Sequence, residues 1–295
     1  MRIPRRQALG AGLCLLGAAA CRSATPEENV TRPPTSSALP VVFVGHGSPM
    51  NAIEDNTWAR AFQQLGRVLP KPAAILAVSA HWFVGGTWLT DNPAPRTIHD
   101  FGGFPRALYE IQYPARGNVD LAKRVAALLA SRQAGLSSEW GLDHGTWSVL
   151  RHMRPEADVP VLQLSIDRRL PPREHLAIGR ALAPLREQGV LILGSGNVTH
   201  NLRHAMQHMN APGGATPGWA SRFDAEVARA LSERDDDRLT QLIETDDGRA
   251  SHPSVDHYLP LLYVAGAASR SDPVTFPVTG FDLSSVSMRS IQLGA

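Results

Sequence analysis

From residue 40 onward, short apolar runs alternate with stretches whose apolar positions recur at helical spacing. Val41-Val42-Phe43-Val44, Ala74-Ile75-Leu76-Ala77-Val78, Val159-Pro160-Val161-Leu162-Gln163-Leu164 and Val190-Leu191-Ile192-Leu193 read as strands. Three of these four runs are almost wholly apolar, as strands covered on both faces should be. Helical periodicity falls at Thr57–Leu69, Val119–Ala130, Arg173–Gln188, Ala220–Ser232 and Arg238–Glu244. Asp256–Ala268 reads as a further, apolar helix, with Pro253 and Ser254 before it. The alternation predicts one α/β domain over residues 40–295, with a mainly parallel central sheet flanked by helices. Residues 209–219 are rich in Gly and Pro and read as a mobile loop.

The pattern changes before residue 40. Residues 1–21 begin with basic side chains, continue as an apolar stretch from Ala8 to Ala20, and end in small residues. That is the layout of an export signal, and the run is too short to span a bilayer. Arg5-Arg6 at its edge resembles a twin-arginine signal; an ordinary export signal with two arginines is the alternative. Cys21 after Ala18-Ala19-Ala20 resembles a lipoprotein processing site, which would leave a lipid anchor there; cleavage after Ala20 would leave a soluble periplasmic protein. Residues 22–39 are polar and Pro/Ser/Thr-rich, a flexible linker.

This leader alters the meaning of the bulk numbers. The whole chain carries 29 basic and 27 acidic side chains. Three of the arginines lie in residues 1–21, which hold no acid, so the rest is close to neutral. Net charge therefore gives no reason to expect nucleic acid as a partner. Both cysteines, Cys14 and Cys21, also lie in the leader, so the domain has no disulfide and no thiolate chemistry.

Histidine carries the candidate chemistry, with 11 in the chain. The first strand runs into Gly45-His46-Gly47-Ser48, the second into Ser79-Ala80-His81-Trp82, and the strand at 190–193 into Gly194-Ser195-Gly196-Asn197-Val198-Thr199-His200. In a parallel sheet such strand ends share one edge, where ligands bind. His257 opens the apolar helix, and His144 sits in Asp143-His144-Gly145. Three histidines at equivalent strand ends, each beside Gly or other small residues, point to a shared metal site at the C-terminal ends of the strands. His152, His175, His204, His208 and His252 read as helix or core residues. Imidazole donors suit zinc, iron, copper or nickel, and three protein ligands with an open position mark a catalytic site. The Gly-rich segments lack the Lys and the spacing of nucleotide-binding loops, and no G-x-S-x-G elbow occurs.

Six blocks, GHGSPMN (45–51), SAHW (79–82), IHDFGGFP (98–105), LDHGTWSVL (142–150), GSGNVTHNL (194–202) and HPSVDHYLPLLYVAGAA (252–268), together resemble the extradiol aromatic ring-opening dioxygenases of the LigB-like class. The resemblance runs from about Pro40 to the C-terminal end. It implies one α/β domain, a mononuclear divalent metal, zinc or Fe(II), and insertion of O₂ beside the diol of a catechol-type substrate. It further implies His46, His81 and His257 as metal ligands. His200 is then an acid–base residue or a fourth ligand, His144 a catalytic pocket histidine, and His99 and Asp100 substrate-binding residues. One departure stands out: the third ligand position holds His257, where many extradiol enzymes use a carboxylate. Asp256 is adjacent. Aromatic residues Trp82, Phe101, Phe104 and Trp147 could stack on a substrate or fill the core. A zinc hydrolase with a metal-activated water and an exported metal-binding protein without turnover are the competing readings.

Overall fold

Alternation along β1 (Val41–Gly45) sends Val41 and Phe43 to one face of a sheet and Val42 and Val44 to the other. The same two-residue period divides β2 (Ala74–Val84), whose Leu76 and Val78 face one way and Ile75 and Ala77 the other. Both faces are buried under helices, which is why these strands tolerate no polar side. The structure, a computed structural model, describes residues 38–208 and 215–295. The leader, most of the linker and residues 209–214 of the Gly/Pro-rich loop lie outside the described residues.

The remaining strands are β3 (Trp88–Thr90), β4 (Gly135–Ser137), β5 (Val161–Asp167), β6 (Val190–Gly196), β7 (Val274–Val278), β8 (Phe281–Asp282), β9 (Val286–Ser287) and β10 (Ser290–Leu293). Of the ten strands in the described residues, eight form one sheet in the order β4-β3-β5-β2-β6-β1-β10-β7, and β8 and β9 pair separately. The centre, β5-β2-β6-β1, is parallel throughout. The edges are mixed: β3 runs antiparallel to β5, and β10 runs antiparallel to β1 and β7. These edge strands are short and partly polar, so no apolar run announces them.

Helices α1 (Thr57–Val68), α2 (Arg106–Tyr109), α3 (Val119–Leu128), α4 (His144–Met153), α5 (Pro172–Leu182), α6 (Leu202–His208), α7 (Gly218–Glu233), α8 (Asp236–Gln241), α9 (Asp246–Ser251) and α10 (Leu259–Ala267) surround the sheet. Phe62 and Leu65 of α1 and Trp147, Val149 and Leu150 of α4 cover one face. Side chains of α3, α5, α7 and α10 cover the other. α10 is buried on every side, as its unbroken apolar sequence requires. Asn56 and Asn118 cap α1 and α3 by accepting from Ala59 N and Leu121 N. Among the described residues no helix is long and apolar enough to cross a membrane.

Four boundaries differ from the sequence expectation. β2 continues to Val84 with a register shift against β5 between Val78 and Phe83, so His81 lies within an irregular strand and not beyond its end. β5 begins at Val161 because Pro160 has no N–H to donate; its carbonyl accepts from Ile75 N instead. The helix expected over Arg173–Gln188 gives way at Leu182 to a 3-10 turn, where Pro184 cannot join the α ladder. α10 starts at Leu259, leaving Asp256 and His257 in the turn ahead of it.

Candidate active site

Register brings the site together. Gly45 of β1 pairs with Gly196 of β6, and Ser79 of β2 pairs with Ser195 on the other side of β6. His46 follows Gly45 and donates its N–H to Gly196 O at 3.0 Å. His81 lies two residues beyond Ser79. The two histidines therefore flank the end of β6. His257 arrives from the turn before α10, fixed by the Asn197 N–H donating to His257 O at 3.0 Å. A Cβ on Gly196 would stand 2.2 Å from that same carbonyl, so only glycine lets the turn close on the strand end.

The three rings form a near-equilateral triangle. Centroids are 5.1 Å apart for His46–His81, 5.2 Å for His46–His257 and 5.1 Å for His81–His257. One nitrogen from each lies within 4.8 Å of the others. Hydrogen bonding fixes which nitrogen that is. Ser195 Oγ donates to Gly145 O at 2.5 Å, so it accepts from His46 Nδ1 at 3.0 Å. His81 Nδ1 lies 3.2 Å from Asp100 Oδ2, and His257 Nδ1 donates to Asp256 Oδ2 at 2.5 Å. His46 and His257 thus carry the proton on Nδ1 and turn the Nε2 lone pair inward, and the Asp100 carboxylate beside His81 Nδ1 favours the same tautomer there.

Protonation does not relieve this convergence. Burial first, then the charges His257, His144 and His200 would carry, holds His46 well below the ordinary imidazole value. Burial and the neighbouring His144 and His46 do the same for His81. The Nε2 atoms of His46 and His81 nevertheless stand only 3.2 Å apart. Lone pairs facing each other at that distance, on neutral and buried rings, are the donor set of a divalent cation. The residues present fit a metal.

Asp256 is held below the usual carboxylate range: burial alone would raise it, but the hydrogen bond and charge of His257 more than reverse that. It supports His257 from the far side of the ring. The carboxylate anticipated as a neighbour of the third ligand is therefore placed behind the imidazole.

His144 is the first residue of α4, and Asp143 caps that helix by accepting from Thr146 N. The His144 ring lies 3.8 Å from His81, and its Nδ1 lies 3.0 Å from Asp100 Oδ1, which also accepts from the His144 backbone N–H at 2.9 Å. One carboxylate thus bridges His81 and His144. Burial acts to raise Asp100, and the contacts with His144 bring it below its ordinary value. Asp143 behaves oppositely: burial and the charge of Asp100 raise it, against hydrogen bonds from Gln163 and Ser79. Gln163 Nε2 donates to Asp143 Oδ2 at 2.7 Å.

His200 stacks on His257 with centroids 3.5 Å apart and planes 6° apart. Among the described residues the clusters able to hold a cation are His46–His81–His257 and His81–Asp100–His144; His200 belongs to neither. Burial, then His257 and His252, keeps His200 well below its ordinary value. It also lines a cavity of about 510 Å³.

His99 stands apart from this group. Its Nε2 donates to Ile111 O at 3.0 Å, and its ring packs against Phe101, Tyr109 and Trp147. Trp147 is fully buried and donates to Ile98 O, and Trp82 is buried and stacked on Trp140, so both are core. Phe101 and Phe104 remain half-buried, with Phe101 edge-on to His144 at 5.4 Å. His152, His175 and His252 hydrogen-bond to Asn51 O, Tyr263 OH and Val198 O, away from the triangle.

Sequence reasoning passed over Ser195, Asp143, Gln163 and Gly145. Ser195 sits between two glycines in a buried strand, a polar residue where an apolar one is expected, and that was its only signal. Gln163 is the same anomaly in β5.

A mainly parallel α/β sheet carrying, at one edge, a histidine triangle that could hold a metal ion defines an α/β protein with a candidate metal centre. Residues 40–290 match the family model described as the catalytic LigB subunit of aromatic ring-opening dioxygenase. The chain belongs to that family and is a dioxygenase. It is 47% identical over 265 residues to the 4,5-DOPA dioxygenase extradiol of Escherichia coli (strain K12), covering 88% of this chain and 96% of that protein. It is 36% identical over 249 residues to the 4,5-DOPA dioxygenase extradiol of Beta vulgaris, covering 78% and 87%. A crystal structure of an uncharacterized protein from Escherichia coli K12 superposes with a TM-score of 0.76 at 41% identity, covering 87% of this chain and all of that one.

Proposed function

We propose that this dioxygenase opens the ring of a catechol-type substrate with O₂ at a divalent metal held by His46, His81 and His257. The observation that carries the reading is the convergence of three Nε2 lone pairs whose Nδ1 atoms are tied down by Ser195, Asp100 and Asp256. A divalent metal bound there supplies Lewis acidity to the diol oxygens and, if it is iron, an electron path from the diol to O₂. Neutral His200 accepts a diol proton, and its stacking on His257 holds the accepting ring beside the centre. His144, oriented by Asp100 and Asp143, faces the centre from the His81 side and is the second candidate for proton transfer. Phe101 screens that side from water.

With no carboxylate in the His46–His81–His257 triangle, the nearest negative charges are Asp100 and Asp256, behind His81 and His257. That pattern suits zinc and iron alike. The relatives' name makes 4,5-DOPA the first substrate to try. The test is anaerobic purification, metal analysis, loading with Fe(II) or Zn(II), and oxygen uptake with catechols. Oxygen consumed in proportion to catechol, with a ring-opened coloured product and only with iron, supports the reading. Ester or amide hydrolysis with zinc, and no oxygen uptake with iron, would sink it.

Export is part of the same proposal, on the strength of the leader at residues 1–21. Cell fractionation should find the chain outside the cytoplasm, and lysine at both Arg5 and Arg6 should retain it inside if the twin-arginine route is used.

A further inference from the structure

His204 and His208 belong to no cluster at the strand ends. They lie one turn apart on α6, the helix that follows His200. Their rings stack with centroids 4.1 Å apart and planes 17° apart. Residues four apart on a helix share a face, so one cation can reach both rings. The helix beneath them is anchored. Asn201 Oδ1 accepts from His204 N at 3.0 Å, Asn201 Nδ2 donates to Ala250 O at 2.7 Å, and Ala205 is fully buried. The Trp219 indole of α7 packs edge to face against the His204 ring at 5.3 Å.

Hydrogen bonding selects the nitrogens. His208 Nδ1 donates to His204 O at 2.9 Å, which places the proton on Nδ1 and leaves the Nε2 lone pair unused. A ring N–H given to a backbone carbonyl is the support that metal-ligating histidines usually have. His204 Nδ1 is buried with no hydrogen-bond partner among the described residues, so Nε2 is the nitrogen left to meet a ligand. We propose that His204 Nε2 and His208 Nε2 hold a divalent cation on α6, separate from the three-donor clusters around His81, with water completing its coordination. Two imidazoles select copper(II) and zinc over magnesium and calcium, which take oxygen donors. His208 is exposed, so the ion enters from solvent without disturbing the core. Once bound, it clips the last turn of the helix that begins just after His200.

The test uses the untagged full chain and two probe ions. Zn(II) bound per chain is counted by equilibrium dialysis for wild type, His204→Gln, His208→Gln and His46→Ala. Wild type should hold one equivalent more than either glutamine variant, and His46→Ala should keep the equivalent that those variants lose. Removing a ligand outright should weaken that equivalent by more than the about tenfold that loss of a supporting contact costs. The second probe is Cu(II), which quenches indole fluorescence at close range, so Trp219 reports on its neighbour His204. Cu(II) titrated into zinc-loaded wild type should quench part of the emission, and that part should be missing from both Trp219→Phe and His208→Gln. The same zinc content in wild type and His208→Gln overturns the proposal, as does Cu(II) quenching that persists unchanged in His208→Gln. Neither readout depends on turnover.

Discussion

Asp256 and Ser195 do their work through the histidines they touch. Each fixes a Nδ1 proton, and with it the direction of a Nε2 lone pair. Replacing Asp256 by Asn removes the anionic acceptor while keeping the shape, and should weaken metal binding about 10–100-fold in a competition titration with a chelator. His200 is expected to behave differently, because its ring stacks on a candidate ligand and lies outside the ligating cluster. His200→Gln should lower turnover by at least about 100-fold while metal content stays near the wild-type value. Equal loss of metal in that variant would make His200 a ligand. At this scale the sequence was informative about the histidines, since three of them follow buried apolar runs beside Gly or other small residues. Serine, glutamine and aspartate are common, and their roles became visible only with their partners in place.

Among the elements, α4 and β2 decide how tightly the site is packed. α4 begins at His144, and a Cβ on Gly145 would lie 2.6 Å from Ser79 Oγ and 2.9 Å from His81 Cδ2. Gly145→Ala should push the helix start away from β2, costing about 1–3 kcal/mol in a denaturant titration and loosening metal affinity as well. An unchanged unfolding midpoint together with unchanged metal affinity would refute this account. The apolar strands at the centre of the sheet were legible because burial on both faces leaves no other pattern. The short edge strands, and the irregular continuation of β2 past Val78, were not. Their residues follow no strict period, and their conformation is set by pairing with β5 and β10.

At the scale of the whole molecule, buried imidazoles link folding to pH. Burial lowers His175 and His252 to about 4. A histidine depressed in the folded state takes up its proton first in the unfolded chain. Its contribution is therefore complete above pH about 6.5 and is lost as pH falls toward about 4. Metal-free protein should lose about 3 kcal/mol per such histidine across that window, measured by urea unfolding at several pH values. Asp143, raised by burial, works in the opposite sense at the acid end. Flat stability from pH 7 to 4 would contradict the burial of these rings. A different long-range tie joins the two ends of the domain. Arg186, almost fully buried, donates to Leu39 O and Ala267 O and pairs with Asp272 at 2.7 Å. The partners that make this arginine tolerable inside the protein are distant in sequence, so nothing in its local pattern identifies it.

The sequence by itself determined the α/β class, the parallel strands at the sheet centre, and the histidines that follow their apolar runs. It could do so because these depend on hydrophobic period and on local glycine chemistry, both written along the chain. Tertiary structure alone decided which histidines share a centre and which nitrogen of each faces it. It also moved His99 into an aromatic wall and set His200 against His257. Those outcomes depend on strand register and on hydrogen-bond partners as far apart as Ser195 and His46, and no local pattern carries either.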